Sequence, residues 1–273
     1  MQLVPGLPDF DNPPVTETVL GVQFTPLSKF EVPHYGRYWT KIKEEYDRFE
    51  VQPAIAGTVD ERGLDAKPGQ IFINFPGGPT LRCWFMDKSQ TNLIQVQRDR
   101  FILNWRKVRG DERYPHYENI RPKFAQEWDR FCAVLTEEGI ETPKVNQCEV
   151  TYVNHIEFDS ELTGGSELKR FIASWSGATS GDFLPKVDKV GLNTSYVMDG
   201  NNGRLRISMQ PVLRLLDGME VLQLDVSATG RPASSKTLDL LEWMDKGREW
   251  VVKGFADFTT KEMHGKWRRT NDR

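Results

Sequence analysis

Two stretches decide the fold: Thr16–Phe24, TETVLGVQF, and Cys148–Ile156, CEVTYVNHI. In the first, Leu20, Val22 and Phe24 recur at period two, and in the second Cys148, Val150, Tyr152, Asn154 and Ile156 do the same. Side chains on a strand alternate between faces, so each stretch reads as a strand with one apolar and one polar side. The polar side of the first carries Glu17 and Gln23, and that of the second Glu149 and His155. An offset of 132 residues lays Glu17 on Glu149, Gln23 on His155, and Trp39 on Phe171. The chain therefore reads as two copies of one module, a strand, a helix, an antiparallel sheet and a closing helix.

Working outward, residues 1–14 hold four prolines and read as an extended lead-in. After Pro33, Tyr35, Tyr38, Trp39, Ile42, Tyr46 and Phe49 recur at three and four, which predicts a helix over about 33–48. Ile71, Ile73 and Phe75 suggest a strand between turns at Pro68-Gly69 and Pro76–Pro79. Leu81–Met86 reads as another, and Leu93–Gln97 with Phe101–Trp105 as a hairpin turning at Arg98-Asp99-Arg100. A helix near 118–138 is stopped by Gly139.

In the second half, Ser166 is a candidate N-cap for a short helix with Leu168, Phe171, Ile172 and Trp175 inward. A meander follows, with strands over 190–198, 204–213 and 219–228 turning at Asp199–Gly203 and Asp217-Gly218. A last helix spans about 236–258, and the tail from Lys261 is basic. The expected fold class is α+β: a duplicated module, 1–142 and 143–273, packed as one pseudo-twofold unit. One curved antiparallel sheet would carry its helices on one face. That arrangement resembles the TATA-binding-protein and helix-grip architectures, a likeness of fold and not of function.

The chain has 273 residues, 27% charged, with a net charge of −3. That balance gives no global field for nucleic acid or an anionic membrane. Three cysteines, Cys83, Cys132 and Cys148, are odd in number and unpaired in spacing, so free thiols in a reducing, cytoplasmic compartment are expected. No run of apolar residues suits a membrane span, and the first residues lack the pattern of a secretory signal. The four histidines, His34, His116, His155 and His264, show no metal-ligand spacing. Walker, HExxH and GxSxG motifs are missing. Glu167-Leu168-Lys169 spells ExK but at a helix start, the wrong place for a nuclease motif. Nothing implies a cofactor, a metal or a catalytic residue.

What remains is the polar side of the sheet. Glu17, Gln23, Glu149 and His155 converge if their strands meet, while Gln95, Gln97, Arg204 and Arg206 extend the same surface. Plain solvation explains alternate polar residues; ligand or partner contact is the sharper reading. Arg98, Arg100 and Arg106 are candidates for an anion contact.

Three blocks carry a family resemblance: Pro13–Glu17 running into Leu20–Phe24, Gln95–Phe101 with Asn104-Trp105-Arg106, and Cys148–Ile156. Together they resemble a sporadically distributed family of uncharacterised bacterial proteins. The resemblance brings no catalytic residues; its patchy occurrence implies cargo of mobile or phage-defence loci. The expectation is a non-enzymatic recognition protein that holds a protein segment or small ligand on the open sheet face, with a protein partner or a second copy of itself. One alternative is a nucleic-acid-binding component of such a system, using the 98–107 hairpin and the basic tail. Another is an enzyme built on Glu149 and His155.

Overall fold

The computed structural model describes residues 6–55, 81–157, 167–175, 183–185 and 187–270. Its centre is the pair of strands on which the sequence reading turned. β2 (Val15–Phe24) lies antiparallel to β7 (Val145–Ile156), with Val19 opposite Thr151, Leu20 opposite Val150 and Gly21 opposite Glu149. The offset of 132 residues carries Val19 onto Thr151, and these two are direct partners. A twofold relating the strands by that offset therefore passes between them, in the middle of the ladder.

From this seam the sheet grows in both directions. Beyond β2 come β6 (Arg100–Arg106), β5 (Asn92–Gln97), β4 (Leu81–Met86) and β3 (Arg48–Pro53). Beyond β7 come β10 (Glu220–Gly230), β9 (Gly203–Leu213) and β8 (Leu192–Val197). All nine strands are antiparallel to their neighbours, and the sheet does not close into a barrel. The expected α+β class is found.

The helices pack on one face. α1 (Val32–Ile42) and α2 (Tyr117–Glu137) cover the first half, and α3 (Thr237–Phe258) covers β7, β10 and β9. Beneath α1 and α2 the core is aromatic, with Phe101 packed between Trp128 and Phe131 at centroid distances of 5.6 and 5.3 Å. Beneath α3 it is largely aliphatic: Leu205, Ile207, Leu222, Leu224 and Val226 are all buried. Gly247 brings α3 down onto β7, since a Cβ there would meet Trp243 at 2.9 Å and Val150 at 3.1 Å.

α2 and α3 also hold one another. Asp245 accepts from Arg121 at 2.6 and 2.9 Å and from the Tyr117 hydroxyl at 2.9 Å. Arg248 reaches Glu118 at 3.2 Å and lies over the Tyr117 ring, and Thr237 bonds Asp129 at 2.6 Å.

Four local readings need correction. The helix expected over 33–48 ends at Ile42, because residues from Arg48 onward are taken up by pairing with β4. Phe49 therefore sits on β3, its ring 6.0 Å from that of Trp39 on α1 and 6.3 Å from that of Phe85. The short helix around Leu168 is one 3-10 turn, Glu167–Arg170. Its apolar residues pack inward as expected; Leu168, Phe171 and Ile172 are buried.

The lead-in and the basic tail are not free ends. β1 (Asp9–Phe10) pairs with β11 (Arg269–Thr270), and α4 (Lys261–Lys266) joins the tail to α3. Trp267 drives this, buried against Phe255 at 5.1 Å and Phe10 at 6.1 Å. The expected strand at 71–75 with its flanking turns, the Ser166 cap and Arg273 lie outside the described residues. Among the described residues no helix is long and apolar enough to cross a membrane.

Candidate functional site

Strand parity and register place Glu17, Gln23, Gln95, Gln97, Glu149, His155, Arg204 and Arg206 on the face away from the helices. They share a face without sharing a point. Glu17 stands opposite Val153, four residues along β7 from Glu149, which is about 13 Å of strand. Glu149 and His155 are six residues apart on that strand, about 20 Å, so they cannot exchange a proton. The pairing on which an enzyme reading rested is not formed.

The two halves of this far face differ, and plain solvation does not describe the first. On the first half, Gln23, Gln95, Gln97, Arg100 and Asn104 are buried. Buried polar groups need partners, and Gln95 and Asn104 find theirs across strands. Trp84 Nε1 and Arg82 Nη1 both donate to Gln95 Oε1 at 2.9 Å. Gln95 Nε2 donates to Asn104 Oδ1 at 2.8 Å, and Asn104 Nδ2 donates to Glu17 Oε1 at 2.6 Å. Gln97 instead bonds both backbone groups of Ile55, at 2.9 and 3.0 Å. Burial holds the Glu17 carboxyl above its ordinary range, opposed by the Asn104 hydrogen bond and the charge of Arg106. This lattice ties β4, β5, β6 and β2 together and leaves little for a ligand.

The proposed anion contact is also occupied from within. Arg98 donates to the carbonyls of Leu27 and Ser28 at 3.1 to 3.3 Å. Arg106 donates to the Gln90 carbonyl at 3.0 Å and lies over the Trp84 ring, with Arg82 also against that ring. Arg100 is buried and already partnered. These guanidinium groups hold loops to the sheet, and their partners lie up to 71 residues away.

The second half is accessible. Glu149, Asp225, Ser227 and Arg204 are partly exposed and Arg206 is exposed, in ladders that cross β7, β10 and β9. Thr151 donates to Glu149 or Ser227, at 2.8 and 2.6 Å, and Arg206 donates to Thr229 at 2.8 Å. At the His155 end these ladders run into a cleft of about 750 Å³. His155 and Gln223, directly opposite each other on β7 and β10, both line it. The Gln223 amide donates to both Asp225 oxygens at 3.0 and 3.1 Å. His155 Nδ1 is buried and has no hydrogen-bond partner. Burial lowers the His155 pKa, against the pull of Gln223, which favours the neutral ring.

Sequence reasoning named His155 as a contact and counted Lys107 in the 98–107 hairpin and Lys266 in the basic tail, but missed Arg214, Leu215 and Leu216, which follow the end of β9, where no periodicity marks them. Among the described residues no group of three or more potential ligands is placed to hold a metal ion. No family model, curated protein or solved structure matches this chain.

Proposed function

We propose that this chain is a non-enzymatic recognition protein that holds a small ligand or a protein segment on the accessible half of its far face. One observation carries the reading: the polar ladders of β7, β10 and β9 hold partly exposed side chains and lead into a cleft large enough for a small molecule. An enzyme built on Glu149 and His155 is disfavoured, since the acid and the imidazole stand six residues apart on β7. A phosphate-binding hairpin is disfavoured too, because Arg98, Arg100 and Arg106 are engaged with the protein itself. A mobile or defence setting rests on the family resemblance alone.

The test is affinity capture from source-cell lysate. The full chain is compared with the triple variant Glu149→Ala, Arg204→Ala, Arg206→Ala, and both eluates are read for proteins and for small molecules. These side chains lie outside the buried lattice, so the variant should fold. The expected result is one species enriched at least about tenfold by the parent, a difference of about 1.4 kcal/mol in binding. Identical eluates from parent and variant would remove the far face as the site.

A further inference from the structure

We infer that the cleft at the His155 end is built for a small organic carboxylate with an apolar body. The inference rests on the recognition reading and gives its ligand a chemistry.

The anionic head follows from an accounting of charge. Three cationic side chains line the cleft: Lys107, Arg214 and Lys266. Arg214 is matched twice, to Glu157 at 2.6 Å and to Asp217 at 2.5 Å. Lys266 already has a partner. Lys107 has no ion pair within 4 Å among the described residues, yet it is half-buried, and burial lowers its pKa. The carboxylates that sense its charge are engaged by other groups. Glu157, which also lines the cleft, is on Arg214, and Glu112 accepts the backbone N–H groups of Val108, Arg109 and Gly110 at 2.9 to 3.2 Å. A partly desolvated ammonium without a counter-ion is costly, and an entering carboxylate relieves that cost.

The apolar body follows from the wall. Leu213, Leu215 and Leu216 line the cleft at the β9–β10 turn and are 70%, 103% and 52% exposed, with Trp267 and Met263 on another side. Three neighbouring leucines left in water mark a surface that is covered in use. The wall is also pre-set. Lys107 N–H bonds Thr16 O at 2.7 Å, and the Glu112 carboxylate fixes the following loop. Gly110, at a φ of 96°, leaves the space that Leu216 takes; a Cβ there would meet Leu216 Cδ2 at 2.9 Å.

The experiment is isothermal titration calorimetry on the full chain with two probes that differ by one group. N-octanoylglycine has the carboxylate and the tail, and N-octanoylglycinamide lacks the charge. The parent should bind the acid about tenfold or more tighter than the amide. Lys107→Met should abolish the preference for acid over amide while leaving the far-ultraviolet circular dichroism unchanged. Leu215→Ser with Leu216→Ser should weaken both probes alike. Equal binding of acid and amide, an acid preference that survives Lys107→Met, or no binding of any probe at millimolar concentration would overturn the inference. None of those results touches the wider recognition reading, whose own test depends on Glu149, Arg204 and Arg206.

Discussion

Asp245→Ala should cost about 2–4 kcal/mol of unfolding free energy in urea at neutral pH. Asp245 is on α3, while its partners Tyr117 and Arg121 are on α2, so one carboxylate joins the closing helices of the two halves. The Arg121 and Asp245 side chains are only 19% and 18% exposed, and Tyr117 is 1% exposed. Removing the acceptor leaves a guanidinium and a phenol facing a hole from which water is largely excluded. The hydrogen bond to Asp245 raises the Arg121 pKa, and burial followed by the Asp245 charge keeps the Tyr117 hydroxyl protonated. Both residues therefore stay in the donor state in the variant and lose their acceptor. Asp245→Asn retains one acceptor oxygen and should lose less than half as much. A loss below about 1 kcal/mol for alanine would mean that water replaces the clamp freely.

Glu127→Gln should stabilise the protein relative to its parent by about 2 kcal/mol more at pH 7.5 than at pH 4.5. The Glu127 side chain, on α2, is 1% exposed, and its Oε1 has no hydrogen-bond partner. The hydroxyls of Tyr38 and Tyr46 are likewise buried without partners, and both feel the Glu127 charge. Burial pushes the Glu127 carboxyl up to about 6, despite Arg130 at 3.4 Å. A carboxyl with a folded pKa above its unfolded value of 4.5 favours the fold when protonated. That contribution is complete below pH 4.5 and is lost as pH rises through 6. Glutamine keeps the neutral form at every pH, so the difference between the two proteins isolates this one group. Other carboxyls, such as Glu112 and Glu141, are held low by backbone hydrogen bonds and act in the opposite direction, but equally in both proteins. A difference that does not change with pH would place the ionised group in water.

The sequence made the sheet legible because its central strands alternate cleanly and its hairpins carry strong turns. TETVLGVQF and CEVTYVNHI each bury the apolar side that period two assigns to them. The turn at Asp217-Gly218 places Gly218 at a φ of 71°, as a tight hairpin requires. β3 was hidden because RFEVQP follows a helical pattern in which Tyr46 and Phe49 fit the same stripe; only pairing with β4 ends the helix. The tail read as a run of charges, and Trp267 alone turns it into a packed element.

The candidate site was legible only as a face. Alternation showed that Gln95, Gln97, Arg204 and Arg206 share one side of the sheet, but not that the first two are buried while the second pair meets solvent. That difference comes from contacts such as Gln97 with Ile55, between residues 42 apart in sequence. The engagement of Arg98 with Leu27 and Ser28 is non-local in the same way. Lys107 was legible only as one charge of the 98–107 hairpin, because an unmatched charge is visible only once every neighbouring acid has been assigned.

The account depends on β2 and β7 forming the middle of one sheet, with Val19 and Thr151 face to face on the side away from the helices. Installing cysteines at both positions and oxidising the purified chain measures this directly by peptide mass spectrometry. The native thiols Cys83 and Cys148 are buried and Cys132 is partly so, which keeps them out of the reaction. A Val19–Thr151 cross-link formed in the folded protein, with a Val19–His155 control pair remaining reduced, is the expected result. An uncross-linked Val19–Thr151 pair in a folded, soluble double variant would contradict the shared sheet and the recognition face built on it.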